Sequence, residues 1–478
     1  MHQLRRVAGL LTVLLVGVLG NLTWVQVIDA DNIRTQPSNT RLLLQQYDRE
    51  RGAILVEGQP VASSARATKD SYYERSYADG KVYAAATGFY SLIYGTTGIE
   101  RAENDVLSGN DSRFFVDRIQ QLFAGRRSGG GAVALTLNAA AQHAAYKGLA
   151  GRPGAVVAID PATGAILAMV SSPSYDPNLL APDSTAEVRA AYERLTADPA
   201  EPMLNRAIAR TYPPGSTFKL ITAAAALASG RFTADSLLPA PATYKLPLSS
   251  KYLRNWQGRA CTSSGRITLR AALEVSCNTA FAWLGNELGD DLLRTTAERF
   301  GFNVSRTIPL SAAASRFPDA PDAAQTAMSA IGQFDVRATA LQMAMVSAAI
   351  ANDGALMQPY LVKGIRGPDL SMLDTTKPRE MSTAMSTSDA QMLADMMVSV
   401  VNRGTGSNAR VNGVRVGGKT GTAESGTDAK PHAWFTAFAP GVAVAVVIEN
   451  GGGASEVSGN ALAAPIARAV IQAVGKNA

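Results

Sequence analysis

A chain of 478 residues, 46% hydrophobic and 18% charged, is long enough for about three domains and too apolar to be disordered. Its net charge of +6 comes from scattered basic residues; no dense basic stripe with interleaved aromatics occurs, so nucleic acid is not an expected partner, whereas an anionic envelope or membrane surface suits the charge. Two cysteines and three histidines (His2, His143, His432) cannot assemble a metal site, and no cofactor is expected.

The N-terminus places Arg5 and Arg6 before an apolar run from Val7 to Gly20, with a weaker continuation to about Ile28. A helix of about 22 residues spans roughly 33 Å, enough for a bilayer core. The arginines favour a cytoplasmic N-terminus, which puts the rest of the chain outside the plasma (inner) membrane as a single-pass protein. No small-x-small cleavage site follows the apolar core, and Trp24 suits an interfacial anchor, so a retained anchor (residues 1–29) is favoured over a cleaved signal peptide.

Residues 30–150 are polar and mixed, without long-range periodicity, and read as a small juxtamembrane module of short strands, turns and brief helices. A glycine-rich break at 125–131 marks its end. From 151 to 478 the character changes. "GAVVAID" and "AILAMVSS", joined by "PATG", predict a β-hairpin. A long alanine-rich helical middle follows, then three more strands in "VRVGGKTGTAE", "HAWFTAFAP" and "VAVAVVIEN", and a terminal amphipathic helix. Two strands, helices, three strands and a helix predict an α+β domain: one five-stranded antiparallel sheet with helices on both faces.

Three short fragments carry the chemistry. "STFK" sets Ser216 and Lys219 one turn apart behind Pro213-Pro214-Gly215; "SCN" is Ser276-Cys277-Asn278, in a helical pattern; "KTGT" is Lys419 to Thr422, in a strand. Ser-x-N recurs elsewhere and is uninformative alone, but the three in this order form a specific pattern. A serine nucleophile needs a base. His2 falls on the cytoplasmic side and His143 within a helical run, so the expected base is a lysine rather than a histidine. Burial and a second cation both disfavour an ammonium, so Lys219 near Lys419 is suited to act neutral. Ser276 is placed to relay a proton to a leaving amine, and Asn278 to hold a lysine and a substrate amide. Thr420 and Thr422, with the Lys419 charge, offer hydroxyls to a substrate carboxylate. Gly421 lets an extended peptide lie along the strand. The backbone N–H groups of Ser216 and Thr422 are the expected oxyanion hole.

These motifs resemble those of the penicillin-recognising serine acyltransferases. "RERGAI", "SSPSYDPN", "NRAIARTYPPGSTFK", "GTGSNARVNGVRVGGKTGTAE" and "AWFTAFAP" extend the resemblance over residues 40–478 to the class B penicillin-binding proteins, most closely the division-associated penicillin-binding protein A subfamily. The resemblance implies a membrane-anchored D,D-transpeptidase that crosslinks peptidoglycan stem peptides and is acylated by β-lactams. It also implies partnership with a SEDS-type glycosyltransferase and septal proteins, and a dimerisation or pedestal role for residues 30–150. A β-lactamase is disfavoured, since no Glu-x-x-x-Asn follows Asn278. A D,D-carboxypeptidase, or a non-catalytic scaffold or β-lactam sensor acting on a glycan polymerase, shares the motifs and stays open.

Cys261 and Cys277 are a candidate disulfide, the alternative being two free buried thiols. If Ser276 and Asn278 face the site from a helix, Cys277 points about 100° away, and a bridge from it would tie the loop "NWQGRACTSSG" to that helix.

Overall fold

The computed structural model describes residues 2–24, 50–66, 73–114, 129–182, 184–423, 430–451 and 459–475. Helix α1 (His2–Thr23) stands apart from the rest, its described side chains exposed. Over Arg5–Thr23 its mean hydropathy is 1.7, and it is long and apolar enough to cross a membrane. The weaker continuation to Ile28, residues 30–49 of the expected module and residues 125–128 of the glycine-rich break lie outside the described residues.

The first sheet is built from strands distant in sequence. Strands β1 (Ile54–Val56), β2 (Gln59–Arg66) and β3 (Tyr73–Tyr77) form an antiparallel meander, and β4 (Ala132–Leu135) joins β1 in parallel. Helix α2 (Ala139–Leu149) then leads into the hairpin of β5 (Gly154–Ile159) and β6 (Ile166–Ser172). The middle of the chain supplies α3 (Lys219–Ala228), α4 (Leu269–Glu274), α5 (Asn278–Leu288) and α6 (Ala340–Ala351). Next, β7 (Val362–Arg366) and β8 (Met372–Thr375) return to the first sheet, where β7 pairs antiparallel with β4, giving the order β8-β7-β4-β1-β2-β3. Residues 362–375, from the segment 151–478, thus add two strands to the sheet of the N-terminal segment. β7 has only five residues and β8 is exposed throughout, so neither carries a strong apolar signal.

Helix α7 (Thr387–Asn402) precedes β9 (Gly417–Ala423), β10 (His432–Ala439), β11 (Val442–Ile448) and the last helix, α8 (Ala464–Gly475). These complete the expected five-stranded antiparallel sheet, in the order β9-β10-β11-β5-β6. Strands β5, β10 and β11 are buried on both faces, which is why they read as continuous apolar runs rather than alternating ones. One face is covered by α6, buried from Ala340 to Ile350, as expected for a helix apolar all round. The other is covered by α2 and α8, whose apolar stripes pack in one cluster with Val156, Val444 and Phe435. β9 ends up as an edge strand, packed against α7 and the turn Gly215–Phe218.

Candidate active site

Ser216 sits in a tight turn, Gly215–Phe218, of 3₁₀ type, and α3 begins at Lys219. In such a turn residues i and i+3 lie above one another, so Ser216 and Lys219 fall on one side of the turn, while the hydrogen bonds of Lys219 Nζ run to Ser276 and Asn278. The approach to the serine is fixed by its neighbours. Tyr212 pairs with Ala338 through both backbone groups, Trp434 Nε1 donates to Pro213 O at 3.0 Å, and Gly215 N donates to Gly332 O at 2.9 Å. The Tyr212 hydroxyl donates to Glu449 Oε1 at 2.6 Å, and the buried Arg206 donates to the same oxygen at 3.0 Å. Gly215 has φ 53°, and a Cβ on it would lie 2.7 Å from Thr422 O. Only glycine lets the serine turn lie this close to β9. Gly421 makes the matching concession, since a Cβ there would lie 3.0 Å from Pro214 O.

The Ser-x-Asn fragment does not lie within a helix, contrary to the expectation. α4 ends at Glu274 and α5 begins at Asn278. Between them, Cys277 N donates to Ala272 O at 2.8 Å and Ser276 N to Leu273 O at 3.2 Å, while Ser276 adopts φ 60°. This is a Schellman closure with serine at the left-handed position that glycine usually fills. The left-handed backbone costs a serine on the order of 1 kcal/mol and turns both its carbonyl and its hydroxyl towards the lysines. The two helical periods simply abut, so periodicity could not reveal the break.

Lys219 Nζ lies 2.7 Å from Ser276 O, 2.7 Å from Asn278 Oδ1 and 3.3 Å from Ser276 Oγ. Lys419 Nζ donates to Ser276 Oγ at 2.8 Å and to Thr420 O at 2.9 Å. Both lysines are fully buried. Burial, and secondarily the Lys419 charge, hold Lys219 well below the ordinary lysine range; burial alone draws Lys419 down to about 7. A neutral Lys219 has two hydrogens, enough for Ser276 O and Asn278 Oδ1, and its lone pair is left for a hydroxyl. Thus Ser276 Oγ bridges two nitrogens, one donating and one able to accept. Thr420 is buried and Thr422 half-buried on the same strand.

Asn255 was not anticipated. Cys277 cannot cap α5, and Asn255 Oδ1 does so from another segment, accepting from Asn278 N at 2.9 Å and Thr279 N at 3.0 Å. Asn278 Nδ2 in turn donates to Arg254 O at 3.1 Å, so the Arg254 carbonyl orients the carboxamide that holds Lys219. A lone asparagine in "LRNWQG" carries no sequence signal for that role. Cys261 and Cys277 are joined in a disulfide with a Cα separation of 5.8 Å, which ties the same loop to the Ser-x-Asn corner. Among the described residues no cluster of potential metal ligands occurs.

Comparison with known proteins agrees with this geometry. Residues 154–472 match the penicillin binding protein transpeptidase domain, and residues 51–133 the penicillin binding protein A dimerisation domain. The chain is 47% identical over 98% of its length to the peptidoglycan D,D-transpeptidase PbpA of Mycolicibacterium smegmatis and 46% identical over 98% to that of Mycobacterium tuberculosis, covering 98% of each. Its fold is similar to that of M. tuberculosis penicillin-binding protein A in a ceftriaxone acyl-enzyme complex, with a TM-score of 0.88 and 45% identity over 90% of this chain and 99% of that one. By motif, fold and likeness along nearly its whole length, the chain belongs to the transpeptidase family of class B penicillin-binding proteins.

Proposed function

We propose that the protein is a peptidoglycan D,D-transpeptidase working through an acyl-enzyme on Ser216. The observation that carries this reading is the convergence of two buried lysine nitrogens on one hydroxyl, Ser276 Oγ, beside the serine turn. Neutral Lys219 takes the Ser216 hydroxyl proton as Oγ attacks the carbonyl of a stem peptide's penultimate D-alanine. The N–H groups of Ser216 and Thr422 receive the developing oxyanion. The proton passes through Ser276 to the leaving amine, and terminal D-alanine departs. An amine of a second stem peptide then attacks the ester, returning its proton by the same route and releasing the crosslink. A β-lactam acylates Ser216 in the same way, but its leaving nitrogen stays tethered in the adduct and bars the acceptor.

In this reading α1 is a retained single-pass anchor with its N-terminus cytoplasmic, and residues 151–478 work outside the plasma membrane. The module of residues 30–150, completed by β7 and β8, serves as pedestal and dimerisation surface. The anchor and this module are the surfaces for a SEDS-type glycosyltransferase and septal proteins. The likeness of residues 51–133 to a dimerisation domain supports the assignment.

The test supplies a synthetic stem peptide ending in D-alanyl-D-alanine together with an acceptor amine. Transpeptidation predicts release of D-alanine with matching formation of the new amide, and loss of both in Lys219→Arg, whose guanidinium cannot serve as a neutral base. D-Alanine release with water as the sole acceptor would instead identify a carboxypeptidase. No turnover and no β-lactam adduct would identify a scaffold.

A further inference from the structure

Residues 403–406, "RGTG", link the end of α7 to the catalytic corner. Thr405 N donates to Glu274 O at 3.1 Å, and Gly404 N and Gly406 N both donate to Val400 O. Gly404 packs so tightly on Glu274 O that a Cβ could not be accommodated. The Glu274 carboxylate accepts from Ser399 Oγ and from Arg403 Nη2. Glu274 is the last residue of α4, two before Ser276. The loop is thereby clamped to the Ser-x-Asn corner at one end, and at the other it delivers a single side chain to β9: Thr405 Oγ1 lies 2.7 Å from Thr420 Oγ1.

Proton counting gives this pair a direction. Each hydroxyl carries one proton. Their mutual bond uses one and leaves one. Thr420 is 8% exposed, sits on the edge strand beside Lys419, and has its carbonyl fixed by Lys419 Nζ. When Thr405 donates to Thr420, the remaining proton is the Thr420 one, available at the strand edge. An arriving carboxylate can only accept, so it selects this direction, and the two bonds in series polarise one another. A neutral ester carbonyl also accepts but is a weaker acceptor, so it gains less from the polarised pair.

We infer that Thr405 is a specificity-determining positioning residue: through Thr420 it tunes the site for a substrate that carries a free carboxylate next to the scissile bond. This rests on the acyl-transfer reading above. It assigns to a residue outside the three motifs, on a loop anchored to one of them, the orientation of a hydroxyl belonging to another.

The test compares acylation of the full-length protein by benzylpenicillin and by its carboxyl methyl ester, as second-order rate constants. Wild type is expected to prefer the free acid. Thr405→Val should slow the acid by roughly threefold to tenfold, the loss of the hydrogen bond that orients and polarises the Thr420 hydroxyl, and the ester by less than about twofold. Thr405→Ser, which restores the hydroxyl, should return the acid rate to near wild type. On a Thr420→Val background, Thr405→Val should have no further effect; this comparison stands even if the single variant is poorly stable, because it is made between folded fractions titrated by the ester. Equal slowing of acid and ester, no slowing, or a Thr405→Ser variant as slow as Thr405→Val would each overturn the inference. A wild type that forms no adduct with either compound overturns the acyl-transfer reading itself, and that is evident before any variant is compared.

Discussion

Replacing Lys419 with methionine should move the acid limb of acylation towards higher pH. Lys219 and Lys419 contact the same Ser276 oxygen at 3.3 and 2.8 Å. Two unit charges within the resulting ~6 Å repel by about 3 kcal/mol at an effective dielectric constant of about 20, equivalent to about 2 pH units. Lys419 lies at about 7, while burial and the Lys419 charge hold Lys219 well below its ordinary value. The two nitrogens titrate as a coupled pair, and charge on Lys419 keeps Lys219 neutral to lower pH. Protonation of Lys219 removes the base, so the wild-type rate should fall by up to about tenfold per pH unit on the acid side of the profile. Without the Lys419 charge, Lys219 protonates earlier, and the limb should rise by up to about 2 units while burial keeps it below the free-lysine range. The assay is the acylation rate constant with a fluorescent penicillin from about pH 5 to 9; the variant's absolute rate will be low, and the position of the limb is the readout. A limb that stays put or moves down would refute the coupling of the two lysines.

The same substitution should stabilise the fold at neutral pH. Folded Lys419 lies at about 7 and an unfolded lysine near 10.4, so between these values the folded state holds fewer protons and its stability climbs with pH. Lys419→Met should gain on the order of 2 to 4 kcal/mol at about pH 7 and less as the pH nears 10, read from urea titrations at both. In the N-terminal module, Glu100 is fully buried between Arg51 and Arg75, each 2.6 Å away. Burial pushes its carboxyl up, but the two guanidiniums outweigh it and hold the group ionised. Glu100→Gln leaves buried guanidinium charge uncompensated and should cost about 3 to 5 kcal/mol in denaturant unfolding; a loss below about 1 kcal/mol would contradict the argument. Thiol counting on denatured, unreduced protein should find no free cysteine, and Cys261→Ser should slow acylation while removing on the order of 3 kcal/mol of loop restriction.

Much of the catalytic sheet was legible because β5, β10 and β11 are long, apolar and buried on both faces. Lys219, Lys419, Ser276 and Asn278 were nameable from three motifs, and the fold brings those four together. What escaped the sequence is non-local or stereochemical. The break at Ser276 is a backbone choice, φ 60° in a serine, that leaves the helical pattern on either side intact. Asn255 caps a helix 23 residues away, a relation that exists only once the chain has folded back. Strands β7 and β8 join the first sheet across more than 200 residues, with too few apolar side chains to announce it. Thr405 looked like one polar residue in a glycine-rich loop until its hydroxyl met that of Thr420.

The central claim is that Ser216 carries the acyl group. Full-length protein is incubated with benzylpenicillin and digested, and the modified residue is located by tandem mass spectrometry. The account predicts one adduct per chain, on Ser216, absent from Ser216→Ala even though the lysines and Ser276 remain in place. An adduct on Ser276, or undiminished labelling of Ser216→Ala, would contradict it.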